Sequence, residues 1–323
     1  MNQRAKESVA IPTMTFLGVD RPAAIKDTLL LGMTDRSYLP KAEDPRSDWV
    51  ASVAAPSFRL LARQGIRVEN FCTVGTGTGL DALAAIEVFR PKKVGITDIH
   101  ADVIEQAQHN ILENTLPDYP LHLLAGTGDL LSPMTRSDVS FDLIYENLPN
   151  IPADEELRLE EGQNSSTFIA SREEALPAFV SQYLISLHYL AIEQAYPLLN
   201  HGGRVLSSIG ARIPLDIILK LSRSLGYDSS LLLYTWKVQS EPEDVIGGYA
   251  AWEKQGLGPF RFYPVKALHN AFGARPYVDG TDDAREIDHY LSYYELSAVE
   301  AYEALRSGQS IGHTVAMLES VKP

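Results

Sequence analysis

Between about residues 44 and 235, short apolar runs alternate with stretches whose apolar residues recur every three or four positions. Short apolar runs bounded by turn residues read as buried strands, and the 3.6-residue period reads as helices laid against them. Such alternation predicts an α/β fold with a doubly wound, mostly parallel sheet and helical crossovers. Asp44-Pro45 predicts an N-cap and first-turn proline for a helix carrying Trp49, Val53, Leu60 and Leu61, split by Pro56. Asn70–Val74 is the first sheet strand, followed by a glycine-rich turn and a helix over Leu80–Phe89 with Leu80, Leu83, Ala84 and Val88 on one period. Lys93–Asp98 is the second strand and residues 101–113 its helix; strands three and four are expected at 121–125 and 141–145. A long helix is expected next, opened by the capping-box pattern Ser171-x-x-Glu174, running to about Leu199 and ended by Gly202-Gly203. Residues 204–209 form the fifth strand, 215–225 a helix stopped by Gly226, and 231–238 with 260–265 a terminal antiparallel pair. Three regions follow: an N-terminal extension over 1–43, the α/β domain over 44–265, and a helical C-terminal extension over 266–323. Tyr290, Tyr293, Tyr294, Leu296, Val299 and Tyr302 are the apolar points of that last region.

Composition narrows the partners. Of 323 residues, 28 are Lys or Arg and 42 are Asp or Glu, a formal net charge of −14. Polyanion binding relies on clustered cations that displace counterions, so nucleic acid is a less favoured partner than a small molecule or a protein. No apolar run approaches the ~20 residues that span a bilayer, and Met1 to Glu7 lead into no apolar leader core, so a cytoplasmic protein without membrane association is expected. A second copy of the chain, as a homodimer, is a further expected partner. The single cysteine, Cys72, lies within an apolar strand and reads as a buried thiol rather than a nucleophile. The eight histidines show no metal-ligand spacing.

Chemistry enters at Gly75-x-Gly77-x-Gly79, between a strand and a helix. Glycines there allow a tight turn and let backbone amides approach a ligand with no Cβ in the way. A dinucleotide fingerprint would require glycine at position 80, where Leu80 stands. A purely structural glycine turn is the plain alternative. The G-x-G-x-G spacing resembles class I S-adenosylmethionine-dependent methyltransferases, which implies their Rossmann-like fold and S-adenosyl-L-methionine as cofactor. The resemblance implies that Gly75, Thr76, Gly77 and Gly79 cup the cofactor, that Asp98 receives the ribose hydroxyls, that Ile99 lies against adenine and that Asp129 accepts the adenine amino group. Taken alone, Asp98 also reads as a solvated strand end and Asp129 as a turn or helix-cap residue. The family commonly places an acid two residues before the first glycine, to orient the cofactor's methionine end; Thr73 occupies that position here. Asp81 stands just past the loop, where it reads either as a substitute or as a helix-dipole partner.

A second marker, Asn147-Leu148-Pro149-Asn150, ends strand four and continues as Ile151-Pro152. It resembles the [Asn/Asp]-Pro-Pro-[Tyr/Phe] motif of methyltransferases acting on planar nitrogens, the HemK-type glutamine enzymes among them. The resemblance implies that the Asn147 side-chain oxygen and the Leu148 carbonyl accept the N–H bonds of the target nitrogen. Such a nitrogen is a poor nucleophile, and two fixed acceptors orient it and stabilise developing charge. Asn150 replaces the aromatic residue that stacks on the acceptor, while Tyr145 and Glu146 flank the motif. An ordinary strand-to-loop turn is the alternative, since Asn and Pro favour turns. The expected sites are therefore Asn147, Leu148 and Pro149 for catalysis. For the cofactor they are Thr73, Gly75, Thr76, Gly77, Gly79, Asp98, Ile99, Asp129 and Asn147. The expected activity is methyl transfer to a nitrogen of a small molecule or protein side chain. An RNA or DNA N-methyltransferase and a non-catalytic cofactor-binding protein are the alternatives.

Overall fold

β-branched and aromatic runs set the strands, and Ala- and Leu-rich stretches set the helices between them. The computed structural model describes residues 8–152, 168–169 and 172–323. In chain order the elements are β1 (Ser8–Pro12), α1 (Thr13–Leu17), β2 (Thr28–Gly32), α2 (Ala55–Arg63), β3 (Asn70–Val74), α3 (Leu80–Phe89), β4 (Lys93–Asp98), α4 (Ala101–Asn114), β5 (His122–Thr127) and β6 (Phe141–Glu146). There follow β7 (Ile151–Pro152), β8 (Phe168–Ile169), α5 (Ala178–Gln182), α6 (Ser186–Ala195), β9 (Leu199–Gly210), α7 (Leu215–Arg223), β10 (Asp228–Val238) and α8 (Pro242–Lys254). The chain closes with β11 (Tyr263–Pro264), α9 (Val265–Phe272), β12 (Val278–Asp279), α10 (Thr281–Leu291), α11 (Ala298–Arg306) and β13 (Ile311–Val321). Two compact units are present. One holds the residues up to Asn147 with Glu193–Leu206 and Val321–Pro323, and the other holds Leu148–Ile192 and Ser207–Ser320.

In the first unit β5, β4, β3 and β6 lie side by side in parallel, with Cys72 level with Gly95 and with Ile144. This is the Rossmann-like parallel sheet that the alternating pattern predicts. Phe71, Val94, Ile96 and Leu143 are fully buried, each stabilising the sheet by roughly 1.5–3 kcal/mol. Cys72 is buried too, and burial pushes its thiol well above the ordinary range, as an inert core residue requires. The helix expected from Asp44 starts later. Asp48, 1% exposed, accepts N–H bonds from Val50 (2.7 Å) and Ala51 (3.0 Å), and residues 44–48 form turns. A wide helical turn over Val50–Ala54 then leads into α2, with Pro56 in its first turn.

Residues before 43 are fastened by polar side chains. The Asn110 side chain donates to Gly32 O (2.9 Å) and accepts from Gly32 N–H (2.9 Å), and Asn114 does the same for Leu30 (2.9 and 2.8 Å). Two amides on α4 thus act as the neighbouring strand that the β1–β2 hairpin lacks on that edge.

In the second unit β10 pairs antiparallel with β12 (Tyr234 level with Val278), and β11 pairs antiparallel with β13. β13 also runs opposite to β10: Gln239 N–H donates to Ile311 O, and Ser230 Oγ bonds Glu319. The expected partnership of 231–238 with 260–265 is therefore corrected. Tyr263–Pro264 lies on β13, and β13 itself belongs to a stretch expected to be helical. Helices α10 and α11 fit that expectation, but Ile311 to Leu318 form a fully buried strand. Gly312 marks the reason: a Cβ there would stand 2.6 Å from Lys237 O, so the strands approach where no side chain fits. The long helix to Leu199 is corrected as well. Pro177 opens α5, and Leu184 turns left-handed (φ 54°) before α6 begins. Gly202, at φ 73°, sits inside β9 rather than ending a helix. Ser171, the expected cap, lies outside the described residues. Among the described residues no helix is long and apolar enough to cross a membrane.

Candidate functional site

The carboxyl ends of three neighbouring parallel strands carry the glycine turn, Asp98 and the Gly128-Asp129 turn. In open α/β sheets this edge is where ligands bind. Gly75, Gly77 and Gly79 all adopt left-handed backbone (φ 67°, 54° and 80°), which a residue bearing a Cβ adopts only with strain. Gly75 and Thr76 N–H groups donate to Thr97 O (2.8 and 3.0 Å), pinning the turn to the end of β4. The glycines differ in purpose. A Cβ on Gly79 would press on Ile111 at 3.0 Å, so that glycine serves the close approach of α3 to α4. A Cβ on Gly77 would meet nothing within 4 Å. The space beside Gly77 is open.

Asp98 joins the assembly directly. Its Oδ2 accepts from Gly77 N–H (3.3 Å), its Oδ1 from His100 N–H (3.1 Å), and its carbonyl from Gly128 N–H (3.0 Å). Burial raises the Asp98 pKa, and the His100 and Gly77 N–H bonds pull it back in part. Asp98 remains half-exposed, so oxygen lone pairs are left for a sugar's hydroxyls. Ile99, next to it, is 62% exposed. Asp129 is half-buried, and its carbonyl accepts from Ser132 N–H.

Thr73 is placed differently from a ligand contact. It is fully buried, and its hydroxyl donates to Asp81 Oδ2. Thr76 Oγ1 bonds Asp81 Oδ1 at 3.3 Å, and Ala82 N–H donates to the same oxygen at 2.8 Å. Asp81 is 7% exposed, and burial lifts its pKa from 3.8 to about 6 against the pull of these donors. Among the described residues its partners are neutral. The sequence leaves Asp81 open between a substitute for an acid at 73 and a helix-dipole partner; the bond that joins it to Thr73 is what the sequence does not show.

Asn147 follows Glu146, whose strand position is level with Val74, so Asn147 leaves β6 beside the start of the glycine turn. It is half-buried. Leu148 and Pro149 begin the second unit, Leu148 buried at 9% exposure and Pro149 half-buried. The first unit thus brings together Gly75, Thr76, Gly77, Asp98 and the Gly128-Asp129 turn, with Asn147 on the adjoining strand. Among the described residues no group of three His, Cys, Asp or Glu is arranged to hold a metal ion.

No family model and no curated protein matches the chain. Among solved structures it is similar to a methyltransferase from Pyrococcus furiosus, at 20% identity over 63% of this chain and 82% of that one, with a TM-score of 0.39. It is also similar to the ribosomal protein L11 methylase from Lactobacillus delbrueckii subsp. bulgaricus (17% identity, 59% and 72% covered, TM-score 0.36). A third likeness is to the N-methyltransferase NodS from Bradyrhizobium japonicum WM9 in complex with S-adenosyl-L-homocysteine (11% identity, 84% and 85% covered, TM-score 0.35).

Proposed function

We propose that the first unit binds S-adenosyl-L-methionine and that the chain is a methyltransferase acting on a nitrogen of a small molecule or a protein side chain. One observation carries this reading: an open-sided left-handed glycine turn whose Gly77 amide is tied to a half-exposed strand-end carboxylate, Asp98. Asp98 accepts the ribose hydroxyls, Ile99 covers one face of adenine, and Asp129 receives the adenine amino group. Asp81, set in place by Thr73 and Thr76, supplies the negative charge that attracts the methionine ammonium. The cofactor, when bound, would supply a methyl carbon carried on a sulfonium, whose carbon–sulfur bond breaks as the new nitrogen–carbon bond forms and leaves a neutral thioether. Asn147 Oδ1 and the next carbonyl, that of Leu148, accept the target's N–H bonds and aim its lone pair in line with that carbon. They stabilise the positive charge that builds on nitrogen, whose proton then passes to solvent.

Calorimetric titration with S-adenosylmethionine tests the reading. Asp98→Ala should weaken affinity by about 1.5–3 kcal/mol, the scale of hydrogen bonds to a charged group. NAD or ATP binding in its place would overturn the assignment. Asn147→Ala should lower turnover far more than cofactor affinity; equal activity makes residues 147–150 an ordinary turn. A cofactor-binding protein without turnover is the second reading, favoured by Asn150 in place of the stacking aromatic. Tight cofactor binding with no methyl transfer to peptide amides or small amines would select it.

A further inference from the structure

The second unit buries a guanidinium whose partners among the described residues are all uncharged. Arg212 follows β9 and is 6% exposed. The chain prepares its place: a Cβ on Gly210 would run into Arg212 Nη1, so the guanidinium rests on bare backbone. Arg212 N–H donates to Gly210 O, and Arg212 O accepts from Arg261 N–H, both at 2.7 Å, which fixes the turn. Nε and Nη2 donate to Gln239 Oε1 at 3.2 and 2.7 Å, and Nη2 lies 3.0 Å from His313 Nε2. The guanidinium carbon stands 5.3 Å from the centre of the Tyr249 ring and 5.9 Å from that of Phe262. Burial together with Arg212 and Lys237 drives the His313 imidazole well below its ordinary pKa, so it meets Arg212 as a neutral ring.

A neighbour in the same unit shows what a balanced arginine looks like. Arg261, more exposed than Arg212, is bracketed by Asp288 at 3.4 Å and Glu295 at 3.1 Å. Arg212 lies deeper and touches no carboxylate among the described residues. A guanidinium keeps its charge at neutral pH, and neutral hydrogen bonds and ring faces do not cancel it. Gln239 and His313 hold the fork in the posture a bidentate anion needs, through weaker bonds than a charged acceptor makes. Aromatic walls on a flat fork favour a planar anion of low charge over a tetrahedral one.

We propose that Arg212, with Gln239 and His313, forms a binding site for the carboxylate of a small molecule. The incoming carboxylate replaces the Gln239 amide oxygen on Nε and Nη2, and His313 turns from acceptor to donor beside it. The site stands on the second unit's own residues and does not depend on the methyl-transfer reading.

The test is calorimetry of the full chain with acetate, succinate and glutamate, with inorganic phosphate as comparator, at constant ionic strength. Saturable carboxylate binding is expected, at least tenfold weaker in Arg212→Gln and intermediate in Arg212→Lys, which keeps the charge but loses the fork. Arg261→Gln, removing the balanced arginine, should leave carboxylate affinity unchanged. Should Arg212→Gln fail to fold, His313→Gln keeps the guanidinium and should weaken carboxylates at least threefold. The proposal is overturned if no carboxylate saturates the wild-type chain, if affinity survives in Arg212→Gln, or if phosphate alone binds.

Discussion

Helix α3 buries a carboxylate at each end, and the two have opposite surroundings. Asp81 in the first turn and Glu87 in the last are each 7% exposed. Glu87 is saturated by fixed backbone: Ala23 N–H lies 2.9 and 3.1 Å from its two oxygens, and Ala24 and Ile25 donate at 2.9 and 3.2 Å. Asp81 is held by two hydroxyls and by the N–H of the adjacent Ala82. Amides of a docked segment cannot turn away, whereas hydroxyls rotate to whatever acceptor or ligand is present. Burial alone therefore does not distinguish a structural carboxylate from a binding one. On the proposed reading of Asp81, the kind of donor does.

The strongest way to break this comparison is to remove the saturated end. Glu87→Ala leaves the amides of residues 23–25 buried without an acceptor. It should cost about 3–5 kcal/mol of unfolding free energy, the usual scale for dismantling a buried charged network. Urea denaturation measures it. Cofactor affinity of the folded fraction should stay within about twofold, because a fold-supporting carboxylate acts on stability and not on the ligand. A large loss of affinity at unchanged stability would reverse the roles given to the two ends.

Next in size is the pH dependence of Asp81. Its folded pKa, about 6, lies above the unfolded 3.8, so the native state holds the extra proton between those values. That proton's contribution to stability is complete below pH 3.8 and is lost as pH rises through about 6. The displacement corresponds to roughly 3 kcal/mol at most. Asp81→Asn removes it, so the variant should gain on the wild type by up to that amount as pH climbs from 4 to 7, in denaturation curves recorded side by side. Cofactor binding should move the other way. A cationic methionine end needs the ionised carboxylate, so wild-type affinity should fall below about pH 6. At pH 7.5 Asp81→Asn should bind about ten- to a hundredfold more weakly. A parallel pH dependence in the variant would place the titration elsewhere.

Much of this was readable in the chain, and what escaped has physical causes. β3, β4 and β6 stood out because each is an apolar run closed by a turn residue, and the glycine turn because it joins a strand to a helix. β13 was hidden because Gly312, His313, Thr314 and Glu319 break its apolar pattern, although the burial of the first three within the sheet makes them strand residues. The break at Leu184 was hidden because a left-handed leucine carries no composition signal. Asn110 and Asn114 look like ordinary surface amides of α4 until the β1–β2 hairpin is laid beside them. In the candidate site, Gly75, Gly77 and Asp98 were legible as a spacing. Asp81 was legible as a candidate substitute for an acid at 73, but its bond to Thr73 was not, because that is a contact across a loop rather than a motif. Arg212 gave no signal, since a lone arginine after a strand is ordinarily a solvated one.

The finest cut between the two ends of α3 is Thr73→Val, which deletes one hydroxyl of nearly the same shape. That hydroxyl stabilises the ionised form of Asp81. Its loss should raise the Asp81 pKa further and shift the acid limb of cofactor binding to higher pH. Well above that limb the affinity loss should be small, about 1 kcal/mol, the net worth of one hydrogen bond. Glu87 and the segment it holds should not respond, so stability at pH 5, where Asp81 is largely protonated, should change little. A merely structural threonine gives the opposite pattern: a stability loss that is the same at every pH and a binding limb that does not move. Calorimetric titrations at pH 5.5, 6.5 and 7.5 separate the two. A fixed limb in the valine variant would mean that Thr73 fills space beneath the glycine turn and that Asp81 owes its character to burial alone.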